Sequence, residues 1–388
     1  MSNYSRLLLP PKKSFFLFGP RGTGKSTWLK EHFEDAQLHI DLLKTTQYLK
    51  YKRDPAILSR EVQALKPGSW VIIDEVQRVP ELLNEVHSSL FEFKGSVSFA
   101  LTGSSARKLK KAEANLLAGR ALHRKMFPLS ALEIGKSFEL DQALRFGVLP
   151  AVHNAETDAD RIELLDAYVE TYLKEEIQQE ALVRNLDSFF RFLQVASICH
   201  GQVMNLSNIA RDVGVSRSTV QGYFEILQET LVGWTLPAFR LRAKVKEVAH
   251  SKFFGFDNGV YRALRGEHRN MPSALELGTL FEAYFLGEVR CLNSVLGLGG
   301  EMAYWRTESG NEVDLVWHRG SKRIGMEMKY STQWKPQYNS GLNTLLQEKK
   351  IQSAYGIYLG KTVQKFDSIW VFPYLEALKR IRSGEIGF

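Results

Sequence analysis

Residues 15–27 read FFLFGPRGTGKST: four apolar residues, a loop holding Gly19, Gly22 and Gly24, and a polar run suited to opening a helix. An uninterrupted apolar run of this length suits a strand buried on both faces. The loop matches G-x-x-x-x-G-K-[ST] from Gly19 to Ser26. Glycines let the backbone turn its N–H groups inward around an anion, and the helix that follows adds the positive end of its dipole. Gly19, Pro20, Arg21, Gly22, Thr23, Gly24, Lys25, Ser26 and Thr27 are therefore expected to cradle the phosphates of ATP. Lys25 should reach the β- and γ-phosphates, and Ser26 should hold Mg2+.

A second apolar run, WVIIDEV at 70–76, ends in two carboxylates. Asp74 is the candidate magnesium ligand, and Glu75 is placed to polarise the attacking water. The run FALTGSS at 99–105 is expected to lie between the two motifs in the sheet, where Thr102 and Ser104 would sense the γ-phosphate. Apolar runs at 15–18, 38–42, 70–74, 97–102 and 122–127 alternate with polar helical stretches. That alternation is the mark of an α/β domain with a parallel sheet and crossover helices. Phosphoryl transfer also gains from a cation near the transferring group, often an arginine from a neighbouring subunit. Arg120 is the candidate, with Arg107 and Arg124 as rivals, and each reads equally well as a surface residue.

With 388 residues and 44% hydrophobic content, the chain is long enough for two or three cores. The 51 Lys and Arg against 43 Asp and Glu give a net charge of +8, which favours polyanionic partners. Cys199 and Cys291 are the two cysteines and lack metal-ligand spacing, so neither a disulfide framework nor a zinc site is indicated. No segment has the uncharged length of a membrane span and the start carries no cleavage-site pattern, so a cytoplasmic location without a membrane partner is expected.

Beyond the first domain, four regions are expected in all: 1–130 for the ATPase core, 131–186 for a helical lid, 187–264 for a winged-helix domain and 265–388 for an α/β domain. The lid rests on RIELLDAYVETYLKEEIQQEAL, with apolar residues at helical spacing. In NLSNIARDVGVSRSTVQGYFEIL, a turn at Gly214 separates two amphipathic helices, and Ser216 is placed to cap the second. If that helix enters a major groove, Arg217, Ser218, Thr219 and Gln221 are the residues able to reach DNA. Arg240, Arg242, Lys244 and Lys246 alternate with apolar residues, so a strand would place all four charges on one face toward phosphates.

In the last region, Glu282 lies on an amphipathic helix, and Asp314 lies on a strand followed by a turn near Gly320. The returning strand carries Glu327 and Lys329, two residues apart and so on one side. The spacing is that of the PD-(D/E)xK nuclease superfamily, in which such carboxylates bind one or two Mg2+ or Mn2+ ions while the lysine positions water. Asp314 and Glu327 are the expected metal ligands, and Glu282, Asp314, Glu327 and Lys329 the expected catalytic quartet. Val313 stands where the nominal motif has proline.

Taken with GPRGTGKST, WVIIDEVQ, FALTGSSARKL, LLAGRA, FGVLPAV, SKFFGFDNGVYRAL, NEVDLVW and MEMKYS, nearly the whole chain resembles a group of uncharacterised bacterial and archaeal AAA-superfamily ATP-binding proteins with a restriction-endonuclease-like C-terminal domain. The resemblance implies an ATPase core, a winged helix, a nuclease-like fold and assembly into homo-oligomeric rings, but no substrate. Three functions follow: an ATP-driven enzyme acting on DNA; a nucleotide-dependent switch binding DNA or protein whose nuclease-like fold is passive; and, more weakly, a protein-remodelling ATPase.

Overall fold

The computed structural model describes residues 4–93, 95–104, 117, 119–173, 186–240 and 250–388. Two compact units emerge: 6–128 with 229–232, and a larger one made of 1–5, 129–228 and 233–388.

The smaller unit is a five-stranded sheet, β1 (Phe15–Phe18), β2 (Leu38–Asp41), β3 (Trp70–Asp74), β4 (Ser98–Gly103) and β5 (Leu122–Lys125), in the order β2-β3-β4-β1-β5. Every pairing is parallel. β1 has all four residues buried, and β3 and β4 each bury all but the first, as central strands covered on both faces require. Phe16, Phe18, Ile40, Val71, Ile73, Phe99 and Leu101 share one core with Leu82, Leu83 and Val86 of helix Leu82–Glu92. The order places β4 between the strands that carry the two motifs, as the sequence predicts.

In the larger unit, short helices occupy 131–167, and helix Leu186–Ile198 precedes Leu206–Val213 and Arg217–Glu229. Gly214 ends the middle helix in the left-handed conformation (φ 74°), and the Ser216 hydroxyl accepts from Thr219 N at 3.1 Å, capping the next helix. β6 (Gln202–Val203), β7 (Gly233–Leu236) and β8 (Lys252–Gly255) form an antiparallel sheet in the order β6-β8-β7.

Helix Ala274–Leu296 leads into a six-stranded mixed sheet. Its strands are β9 (Glu301–Arg306), β10 (Glu312–Arg319), β11 (Lys322–Met328), β12 (Ser353–Tyr358), β13 (Gln364–Phe366) and β14 (Ile369–Pro373), ordered β13-β14-β12-β11-β10-β9. β10 and β11 form the predicted hairpin around Gly320 (φ 60°). The register of β10 against β9 shifts between Val313 and Val316, a bulge at Asp314 and Leu315 that bends the strand where its carboxylate projects.

Two buried polar joints hold this unit together. Asp257 caps helix Asn258–Leu264 through Val260 N at 3.1 Å and accepts from Val148 N at 2.8 Å. A Cβ at Gly147 would lie 1.9 Å from the same carboxylate, and one at Gly259 would lie 1.9 Å from the Phe146 carbonyl. Only glycine permits this approach, which explains GVLPAV and FDNGV as two halves of one contact.

The second joint is His200, 3% exposed. Its Nδ1 accepts from Gly255 N at 3.0 Å and its Nε2 faces Asn258 Oδ1 at 3.0 Å, while Asn258 Nδ2 donates to the Leu280 carbonyl at 2.9 Å. The joint thereby fixes β8 relative to the helix that carries Glu282. Burial lowers the His200 pKa from the ordinary 6.5 to about 4. The native state keeps the ring neutral, so its contribution is complete above the unfolded pKa and is lost as pH falls toward 4. From about pH 7 to about pH 4 the wild type should lose about 3 kcal/mol more than His200→Gln. Urea denaturation of both proteins across that window measures it, and parallel curves would refute the assignment. Asp257, raised by burial to about 6, has the opposite sign but is common to both proteins.

Candidate nucleotide and metal sites

The glycine-rich loop leaves β1 beside the end of β4, where Gly19 N donates to Gly103 O at 3.4 Å. A Cβ at Gly19 would lie 2.5 Å from the Met126 carbonyl, and Gly22 (φ 81°) and Gly24 (φ 94°) take the left-handed conformation. Helix Lys25–His32 starts at Gly24 with no side-chain cap, so its first N–H groups face the loop. Lys25 is 5% exposed, and its ammonium arches over the loop to the carbonyls of Gly19 at 2.7 Å and Pro20 at 3.1 Å. The Thr23 hydroxyl donates to Pro20 O at 2.8 Å and tightens the turn.

Across β4, Asp74 is buried and accepts a short hydrogen bond from the Thr102 hydroxyl. Thr102 in turn accepts from Glu75 N at 3.0 Å, and Glu75 sits in the left-handed region at φ 60°. The Gln77 amide donates to the Glu75 carboxylate and to Ser104 at 3.0 Å. One chain of bonds therefore orders Asp74, Glu75, Thr102 and Ser104 at the carboxyl end of the sheet, with the loop next to it. A cradle that excludes side chains, an uncapped helix start, a lysine and a buried aspartate fit a nucleoside triphosphate with Mg2+, whose metal would offset phosphate charge.

Two partners of this site carry no sequence signal. Arg6 donates to Thr23 O at 3.0 Å and Phe127 O at 2.6 Å, pinning the loop to the chain after β5. Gln77 ties Glu75 to Ser104. Arg120 lies against His87 and over the Phe91 ring at 5.9 Å, Arg124 donates to His123 O at 3.0 Å, and Arg107 lies outside the described residues. A role for Arg120 in a neighbouring subunit's site stays a proposal.

Residues 11–135 match a family model described as "AAA domain". The N-terminal unit is an AAA-type ATPase domain. The chain is accordingly an ATP-binding hydrolase, and the AAA domain implies use of Mg2+. Residues 137–270 and 277–377 match two models described as "Domain of unknown function", DUF8612 and DUF4143. Among curated proteins, the chain is 23% identical over 354 residues to an uncharacterized protein of Mycobacterium tuberculosis, covering 89% of this chain and 76% of that one. It is 24% identical over 305 residues to an uncharacterized protein of Haemophilus influenzae, covering 71% and 76%. Among solved structures, the RuvB Holliday junction branch migration motor of Thermotoga maritima aligns at 17% identity and TM-score 0.29, covering 58% of this chain and 82% of that one. Protein VC1899 of Vibrio cholerae aligns at 11% identity and TM-score 0.22, covering 96% and 97%. Scores this low do not establish a common fold.

Outside the AAA domain, the larger unit gathers a second charged group. Carboxylate oxygens of Glu282, Glu312 and Asp314 lie within 4.8 Å of one another, an arrangement able to hold a metal ion. Asp314 Oδ2 accepts from Met328 N at 2.8 Å, and the register Leu315 to Met326 brings Glu327 opposite Asp314. Glu327 pairs with Lys329, as two residues of one strand side would, but does not belong to the group of three. Lys252 completes the cluster, its Nζ 2.7 Å from Glu282 Oε1 and 2.5 Å from Glu312 Oε1.

Burial raises the Glu282 pKa to about 7, with Lys252 opposing and Asp314 adding to the rise. Burial and Asp314 together hold Glu327 well above the ordinary range. For Lys252, burial works against the charge, yet Glu282, Asp314 and Glu312 outweigh it and keep the ammonium protonated. Glu312 was findable, since it precedes Asp314 by two residues on one strand. Lys252 comes from another sheet and was not.

Of the residues expected to meet DNA, Arg217, Ser218 and Gln221 are exposed at the start of helix Arg217–Glu229, with Thr219 half-buried. Arg240 is exposed, while Arg242, Lys244 and Lys246 lie outside the described residues.

Proposed function

We propose that ATP hydrolysis by the AAA domain drives work on DNA, with the larger unit gripping the duplex and its carboxylate cluster directed at the phosphodiester backbone. The observation that carries this reading is the convergence of Glu282, Glu312 and Asp314 within 4.8 Å, beside the Glu327 and Lys329 pair. Metal-assisted hydrolysis needs such a set: carboxylates to hold Mg2+ or Mn2+, and a cation to position water. On this reading the six-stranded sheet with its preceding helix is restriction-endonuclease-like, with Glu282, Asp314, Glu327 and Lys329 in the catalytic roles.

The helix pair joined at Gly214, with the sheet β6-β8-β7 beside it, supports a winged helix whose Arg217, Ser218 and Thr219 face bases and whose Arg240 and following basic residues face phosphates. Lys25, Ser26, Asp74 and Glu75 perform the ATP chemistry. Assembly into a ring would let Arg120 act on a neighbour's γ-phosphate. The helices of 131–173, which group with the larger unit, would serve as the lid.

The test is ATP turnover measured with single-stranded, duplex, forked and four-way DNA over a range of salt. DNA should stimulate turnover, and affinity should fall steeply with salt as phosphate contacts release counterions. Turnover indifferent to every nucleic acid would remove DNA from the reading. One observation favours a second reading, a nucleotide-dependent switch with a passive nuclease-like fold: Lys252 already places a positive charge against two of the three clustered carboxylates.

A further inference from the structure

We propose that Lys252 is a tethered cation that keeps the Glu282, Glu312 and Asp314 cluster closed to divalent metal, and that a metal ion enters only by displacing its ammonium. The inference rests on reading the cluster as a metal site and names how that site is regulated. Lys252 opens β8, is 4% exposed, and reaches out of the three-stranded sheet to bridge Glu282 and Glu312. Its Nζ also lies 5.3 Å over the Tyr304 ring, a contact that favours a cation at this position. Arg306 approaches the other Glu312 oxygen only at 3.5 Å, so Lys252 makes the closer contact with that carboxylate.

A second observation points to a ligand at this cluster. Glu327 is 6% exposed, and its Oε2 has no hydrogen-bond partner among the described residues although Oε1 pairs with Lys329. A buried carboxylate oxygen without a donor, on a residue opposite Asp314, is costly unless a ligand satisfies it.

A divalent ion binding these carboxylates must come within about 2.0–2.6 Å of their oxygens. Lys252 Nζ stands at 2.5 and 2.7 Å from two of them. Two cations side by side at a buried site repel strongly, so metal and ammonium exclude each other. Because Lys252 also pairs within β6-β8-β7, metal entry would release the two ion pairs it makes from that sheet, to Glu282 and Glu312. Metal occupancy would then be communicated to the helix pair joined at Gly214.

The experiment uses the full chain, freed of nucleotide and metal by chelation and without DNA, titrated with Mn2+ by calorimetry. Lys252→Met should bind Mn2+ on the order of 10–100-fold more tightly than wild type, the scale of removing one competing charge from the site. That gain should vanish in Lys252→Met combined with Asp314→Asn, which assigns it to this cluster and not to the AAA domain. Lys252→Met should melt below wild type in chelator and gain more from Mn2+ than wild type does, because the metal replaces the lost charge.

Equal affinity in wild type and Lys252→Met, or an equal gain in melting temperature, overturns the proposal. A measurement on wild type alone guards against misfolding of the variant: reductive methylation of Lys252, read by mass spectrometry, should rise as Mn2+ fills the Asp314-dependent site. Unchanged labelling at saturation also overturns it. A protein that passes these tests yet ignores DNA would sink the DNA reading and leave the role of Lys252 standing.

Discussion

Lys25→Ala is expected to abolish ATP turnover, a loss of at least about 10²–10³-fold, the scale of removing one preorganised charge-stabilising group. Lys25 is the buried cation that opens the helix after the phosphate loop, and its reach to the Gly19 and Pro20 carbonyls places the ammonium over the cradle. Alanine keeps the helix but removes the charge that would follow the γ-phosphate into the transition state. Steady-state phosphate release measures the effect, and a melting curve separates it from unfolding. Glu75→Gln is the companion variant: it should keep nucleotide binding and lose hydrolysis, since the amide conserves shape but not basicity. Turnover by Lys25→Ala within a few-fold of wild type would mean that the phosphates lie elsewhere.

In the larger unit, Asp314→Ala and Lys329→Ala should reduce metal-dependent DNA cleavage to background while leaving ATP turnover intact. Asp314 is central because it joins Glu282 and Glu312 in the group able to hold a metal and also accepts from Met328 N at 2.8 Å. Asp314→Asn separates the two roles: it can still accept that hydrogen bond but loses the negative charge a metal requires. Lys329 would act through its pairing with Glu327. Cleavage and hydrolysis assayed together over a panel of DNA structures, with Mg2+ and with Mn2+, decide the matter. Identical behaviour of wild type and Asp314→Ala on every substrate would end the cutting hypothesis and favour the switch.

What the sequence could foretell depended on how local each signal is. The AAA sheet was legible because its central strands β1, β3 and β4 are short apolar runs buried on both faces, and because the loop chemistry fixes which runs flank it; β2 and β5 carry polar residues and lie mostly at the surface. The hairpin carrying Asp314 and Glu327 was legible from period-two spacing and a glycine turn. The bulge at Asp314 was not, since an extra residue on one strand is defined only by its partner. Lys252 was illegible for the same reason: a lysine heading an apolar strand reads as a solvated strand end until carboxylates from a helix and from another sheet surround it. Arg6 sits 17 residues before the carbonyl it holds and looks like any terminal arginine.

The bond from Val148 to Asp257 spans 109 residues. During synthesis, the turn at Gly147 emerges from the ribosome long before the carboxylate that satisfies it has been made, and closing so long a loop is entropically slow. A nascent chain stalled inside that interval carries an AAA domain whose own strands are complete, followed by helices still awaiting their acidic anchor. Fragments ending between these two positions should therefore be avid clients of chaperones.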